Sequence, residues 1–254
     1  MVADKALMLT ASPNVRLIIE YDGSGFHGFQ RQSFGRTVQG ELEQAIGALL
    51  RRPVGITGAG RTDAGVHAAG QVVNFTCPDQ MPLKRMLAAL NRMLPADIVV
   101  LKADVVDAEF HARYSAKSRL YEYTILNRVR PSARESRFVW HVAKVLDMSA
   151  MTEAGALMLG SHDFRGFGSP ERGRSPVRNL ERLQITRRGS HVRVTCQANA
   201  FLQHMARGIV GALVDVATGR RSVQDVRVAL EEPERPVSFS IAPPTGLSLV
   251  LVEY

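Results

Sequence analysis

The stretch Gly58-Ala-Gly-Arg-Thr-Asp-Ala-Gly-Val-His67 places one carboxylate, Asp63, and one guanidinium, Arg61, in a segment with glycine at 58, 60 and 65. Glycine lets a chain fold tightly and approach a ligand closely, so phosphate binding is the first chemistry to test. A dinucleotide fingerprint needs a third glycine at position 63, where an acid stands that repels a pyrophosphate. P-loop spacing counted from Gly60 reaches Gly65, but Val66-His67 replaces the required Lys-Ser/Thr pair. The residues that follow also read as a strand, whereas both phosphate motifs open a helix. What survives is Asp63 as a candidate catalytic carboxylate, set against the plainer alternative of an Asp that caps a turn beside glycine.

Three more side chains carry potential chemistry. Arg207 lies within an apolar helical run in which Phe201, Met205, Ile209 and Leu213 form one stripe. A guanidinium there is costly unless paired, and Asp63 is a chemically suitable partner; the alternative is an arginine facing solvent or an interface. Gly208 and Gly211 weaken that helix by ~1 kcal/mol each relative to Ala, which predicts close backbone packing against it. Tyr121 and Tyr123, two apart on a strand, share a face that can stack bases or fill a core, and core is the better assignment for Tyr123. The seven histidines show no tight metal spacing, so no metal site is expected.

Charge points to the partner. The chain of 254 residues carries a net charge of +8, with 27 arginines and 5 lysines. Arginine's planar fork matches phosphate oxygens, although a GC-rich genome also enriches arginine. Residues 165–193 hold eight arginines, Arg174 and Arg178 among them, against Glu171 and Glu181. A second cluster spans 113–137. Either can be a solvated face, but two together favour a polyanionic partner. No apolar run is long enough to span a bilayer, and Cys77 and Cys196 form no C-x-x-C pair, so a cytoplasmic protein without disulfides is expected.

The elements that must position these residues follow from periodicity. Strands are predicted at 15–21, 71–75, 98–103, 120–126 and 246–253, with a hairpin of 180–186 and 192–196 turning at Gly189-Ser190. Helices are predicted at 38–49, capped by Thr37, and at 83–94, 149–159 and 201–218. The expected fold is α+β: two ferredoxin-like or RNA-recognition-type mixed sheets flanked by helices, with a central active-site cleft. Residues 1–14 are expected to be a flexible arm, 15–106 an N-terminal subdomain carrying the Asp63 loop, and 107–254 a C-terminal subdomain.

The string GRTDAGVHA resembles the catalytic loop of TruA-type tRNA pseudouridine synthases, and other stretches match that family in order along residues 15–254. They are Tyr21-Asp-Gly with Phe26-His-Gly-Phe-Gln-Arg-Gln32, Phe110-His-Ala-Arg113, Arg119-Leu-Tyr-Glu-Tyr123, Gly160-Ser-His-Asp-Phe164, Asn199-Ala-Phe-Leu-Gln-His-Met-Ala-Arg207 and Gly246-Leu-Ser-Leu249. Phe29 stands where the family usually has Trp. The resemblance implies that Asp63 is the catalytic carboxylate, Tyr121 the active-site tyrosine and Arg207 the partner of Asp63. It implies that Tyr121 and Leu247 sandwich the target base, while Arg61 fills the gap left when the base flips out. The implied reaction converts uridine to pseudouridine in the tRNA anticodon stem-loop, by a homodimer and with no cofactor. Attack at C1′, attack at C6 and abstraction of a sugar proton remain alternatives for Asp63. The rival classes are a non-catalytic RNA-binding protein and an enzyme with a phosphate-bearing cofactor.

Overall fold

The computed structural model describes residues 12–77 and 81–254. Residues 1–11 of the expected arm lie outside the described residues, and Asn14 already belongs to the first strand.

The first half of the chain supplies β1 (Asn14–Tyr21), α1 (Val38–Leu50), β2 (Thr57–Gly58), β3 (His67–Thr76), α2 (Leu83–Met93) and β4 (Ile98–Val106). Alternation on β1 buries Val15, Leu17, Ile19 and Tyr21 on one face, as a half-buried strand requires. Thr37 caps α1 by accepting from the Gly40 N–H at 3.2 Å, and Val38, Leu42, Ala45 and Ile46 form its buried stripe. The second half supplies β5 (Ser118–Asn127), β6 (Trp140–Val142), α3 (Met148–Leu157), β7 (Gly160–Asp163), β8 (Val177–Arg188), β9 (His191–Ala198), α4 (Met205–Ala217), α5 (Val223–Glu231) and β10 (Leu247–Glu253). The predicted hairpin is β8–β9, turning at Gly189 with φ +58°. α5 escaped the sequence reading although Ser222 and Asp225 form a reciprocal capping box at its start.

The mixed α+β class holds, but the strands do not form two sheets. They join in one ten-stranded mixed sheet with the order β4-β1-β3-β10-β5-β9-β8-β7, while β2 pairs with β3 and β6 with β5. The last strand makes the junction: β10 runs parallel to β3 at Ser248–His67 and antiparallel to β5 at Leu247–Tyr123. Alternation within a segment says that it is a strand, not which strand it pairs with, so this junction was invisible in the sequence. Two boundaries also move. β3 begins at His67 rather than 71, and α4 begins at Met205 rather than 201 because His204 sits in the left-handed region at φ +63°. Cys77 and Cys196 are both buried.

Candidate active site

The Asp63 loop is fastened from several sides. Phe29 packs its ring where any Cβ on Gly58 would collide at 2.4 Å, so glycine is required at the loop's entry. The Phe29 N–H donates to the Thr62 carbonyl at 3.0 Å, and the Thr62 hydroxyl meets the Tyr21 hydroxyl at 2.7 Å. Gln71, buried on β3, donates to the Gly60 carbonyl at 2.8 Å. At the exit, Gly65 takes φ +79°, and the Val66 N–H returns to the Asp63 carbonyl at 3.1 Å. These bonds hold the loop carbonyls and leave the Asp63 carboxylate free to face outward.

Its partner arrives from α4. Nη1 of Arg207 donates to Oδ2 of Asp63 at 2.9 Å, and Nε of the same guanidinium donates to the Ala242 carbonyl at 2.8 Å. The fork is therefore divided between the carboxylate and a backbone oxygen and does not grip Asp63 with two parallel bonds. Ala242 can reach Arg207 because Gly211 has no side chain: a Cβ there would stand 1.7 Å from the Ser240 carbonyl oxygen. Gly208 likewise admits the Phe167 carbonyl, at 1.8 Å from a would-be Cβ. The close packing expected from these two glycines is what brings the 240–242 segment against the helix. His204, at the mouth of α4, sets Nε2 3.7 Å from Oδ2 of Asp63.

Tyr121 lies on β5 with its ring edge-on to Phe201 at 4.9 Å. Burial pushes its phenol well above the ordinary tyrosine range, with Tyr21 and Asp63 adding to the rise and Arg119 opposing it. Among the described residues, nothing hydrogen-bonds its hydroxyl, which opens on the groove. The other deeply placed tyrosines differ. Tyr21 bonds Thr62, Tyr123 donates to the Pro243 carbonyl at 2.8 Å, and Tyr254 donates to the Ala112 carbonyl at 2.9 Å. Tyr123 is the core residue that the sequence suggested, at 1% exposure.

Asp63, Arg207 and Tyr121 open on one groove of about 1160 Å³, and Arg61, Arg174, Arg178 and Leu247 line it too. Leu247, almost fully buried, stands beside Tyr123 in the β10–β5 register. Arg61 and Arg174 are on the rim, each more than half exposed. Arg178 folds back so that its Nη1 donates to the Ser175 and Val177 carbonyls at 2.7 Å each.

Sequence reasoning passed over three groove residues. Arg113 was named only as part of a basic cluster and as the end of the family-like Phe110–Arg113 stretch, Arg119 only as the start of the Arg119–Tyr123 stretch, and Glu171 was counted as a background acid. Arg119 is the most unusual. It is 9% exposed and donates only to carbonyls, those of Ala59, Arg113, Ala116 and Asn199. No carboxylate lies within ion-pair distance of it among the described residues. Burial works against its charge, and the four carbonyl dipoles substitute for a counter-ion. It thereby ties the start of the Asp63 loop to the segment that leads into α4.

The groove sets Arg61, Arg113, Arg119, Arg174, Arg178 and Arg207 against just two acids, Asp63 and Glu171. That balance suits a polyanionic substrate and places one carboxylate where it can react. Among the described residues, no group of three or more His, Cys, Asp or Glu is placed to hold a metal ion, and no helix is long and apolar enough to cross a membrane.

A family model described as tRNA pseudouridine synthase matches residues 17–115 and 154–254. The tRNA pseudouridine synthase A of Methylobacterium nodulans is 43% identical over 244 residues, covering 95% of this chain and 96% of its own. The protein of that name from Paramagnetospirillum magneticum is 42% identical, covering 95% of each chain. The tRNA pseudouridine synthase A 2 of Clostridium perfringens is 40% identical over 242 residues, covering 95% of this chain and 99% of its own. The chain belongs to the tRNA pseudouridine synthase family.

Proposed function

We propose that this protein isomerises uridine to pseudouridine on the 3′ side of the tRNA anticodon stem-loop, with Asp63 as the catalytic carboxylate. The observation that carries this reading is the pairing of Asp63 with Arg207 on the same groove as the one deeply buried tyrosine hydroxyl, that of Tyr121, left without a hydrogen-bond partner among the described residues. In the reaction the C1′–N1 bond breaks and C1′–C5 forms, while C5 loses a proton and N1 gains one. No electrons are exchanged with a second reactant. Asp63 acts on the sugar–base unit, and Arg207 pairs with it and keeps it aimed. Tyr121 and Leu247 enclose the base, and the Tyr121 hydroxyl relays the C5 proton, passing on its own as it takes that one up.

The target base must leave its stack, at a cost of a few kcal/mol. Arg61 on the rim fills the gap, and Arg174 and Arg178 hold phosphates. The working form on this reading is a cytoplasmic homodimer in which one tRNA contacts both subunits; light scattering with and without tRNA tests the subunit count.

The deciding experiment incubates the protein with uridine-labelled tRNA and no added cofactor. Pseudouridine is expected from the native chain. Asp63→Asn, which keeps the shape and removes the charge, is expected to bind tRNA at least as well and yield none. Product formation by Asp63→Asn near the native rate removes Asp63 from the mechanism, and a tight complex without product from the native chain leaves only an RNA-binding module.

A further inference from the structure

Three of the groove's arginines converge on a single acid. Oε1 of Glu171 accepts from Nη2 of Arg113 at 3.0 Å and lies 3.9 Å from Nη1 of Arg61, while Oε2 lies 3.2 Å from Nε of Arg174. None of the three arginines has another carboxylate within ion-pair distance among the described residues. Glu171 opens a tight turn closed by the Arg174 N–H on its own carbonyl at 3.0 Å. The turn is anchored by the reciprocal Ser169–Gln203 backbone pair just ahead of α4. The acid is half exposed and lines the groove.

A carboxylate facing a fan of guanidinium groups offers the same chemistry as the two non-bridging oxygens of a phosphodiester. We propose that Glu171 stands in for a backbone phosphate of the RNA: Arg113 and Arg174 form one phosphodiester site, which Glu171 fills until substrate displaces it, releasing Arg61 to enter the stack. The proposal rests on the reading that this groove takes tRNA. Exposed pairs of this kind are individually weak, so a phosphate held elsewhere along the same RNA can displace the carboxylate. An anion that engages only this site meets a competitor already in place. Arg113, with Arg174 and Arg61 beyond it, holds the Glu171 carboxyl below the usual range, so the competitor is charged at neutral pH.

The sign of one substitution tests this. Equilibrium binding of a tRNA transcript is measured for the native chain, Glu171→Gln and Glu171→Asp across a salt series, alongside pseudouridine formation. Glu171→Gln is expected to bind about 3–10-fold more tightly at low salt, with the advantage shrinking as screening rises. The rate at saturating tRNA is expected to stay unchanged. Glu171→Asp keeps the charge and is expected to match the native chain. If Glu171 is instead a strut that orders the arginines, both variants bind more weakly. Weaker or equal binding by Glu171→Gln overturns the proposal. Tighter binding with no pseudouridine from any form leaves the phosphate site standing and sinks the proposed reaction. Product from all forms with equal affinities does the reverse.

Discussion

Oδ2 of Asp63 and Nη1 of Arg207 meet at 2.9 Å across 144 positions of sequence, and the same guanidinium spends its Nε on the Ala242 carbonyl. Arg207 thus fixes the carboxylate to the 240–242 segment as well as neutralising it. A lysine supplies the charge but cannot make both bonds from one planar fork. Arg207→Lys is expected to keep its thermal midpoint near native and lose ~10–100-fold in kcat, the scale of a misplacement of about 1 Å, with KM little changed. Native kinetics from this variant would show that the divided fork does not aim Asp63.

Gly211→Ala tests the same device from the other side of the helix. Its Cβ cannot coexist with the Ser240 carbonyl, so the 240–242 segment must move outward and take Ala242 away from Arg207. Overpacking on this scale costs about 1–3 kcal/mol, and activity should fall further than the lost folded fraction explains. Gly55→Ala is the control, because nothing lies within 4 Å of a Cβ there. Its denaturation midpoint is expected to stay within ~0.5 kcal/mol of native.

Tyr121 allows its ring and hydroxyl to be separated. Tyr121→Phe keeps the packing on Phe201 and deletes only an oxygen that no described residue bonds, so folding should be unaffected. Single-turnover formation of pseudouridine is expected to slow by ~100-fold or more, the lower range for a lost proton-transfer group. Tyr121→Leu adds the loss of stacking, worth ~1–3 kcal/mol in comparable base–aromatic pairs. An unchanged single-turnover rate for the Phe variant ends any proton-transfer role for this residue.

Burial pushes the Tyr21 phenol up to about 12, and Tyr121 and Tyr123 higher still. Because the folded values exceed the unfolded value of ~10, their contribution to stability is complete below that pH and is lost as pH rises through the folded values. Thermal midpoints are expected to hold steady from about pH 8 to 9 and then fall steeply above ~10. Tyr121→Phe should flatten that fall. A Tyr121 phenol that stays neutral also predicts no alkaline limb in the single-turnover rate below pH ~10.

Arg174 and Arg178 report on phosphate contacts. Replacing both with Ala is expected to flatten the log–log dependence of tRNA affinity on salt by up to ~2, if each neutralises one phosphate. An unchanged slope measured by filter binding means that this stretch is a solvated face.

Local chemistry was legible along the chain. β1 and the β8–β9 hairpin came from alternation and from Gly189, and α1 from Thr37 and its apolar stripe, because each of those signals acts within a few residues. The Asp63 loop fails both phosphate motifs and retains only a carboxylate and an arginine, but that its Asp is more than a turn cap came from the resemblance of the GRTDAGVHA string to a known family. The close approach at Gly208 and Gly211 was readable as a need for space, although not as a need for the 167 and 240 carbonyls in particular. Where α4 starts was not readable: the apolar run continues back through Phe201, and only the left-handed backbone of His204, set by its surroundings, ends it.

The sequence by itself determined that one carboxylate loop, one buried-helix arginine, one strand tyrosine and a rim of arginines exist. Each of those statements depends on residue type and near neighbours. Tertiary structure decided that they share a groove, because β10, the last strand of the chain, inserts between β3 and β5 and brings the Asp63 loop beside Tyr121. It also decided that Arg207 divides its fork, that Arg119 is held by carbonyls alone, and that Glu171 answers three arginines. Apart from the Glu171–Arg174 pair and the bonds of Arg119 to Arg113 and Ala116, those are relations between segments dozens to more than a hundred residues apart, and no local pattern encodes a distance between segments that only the closed sheet brings together.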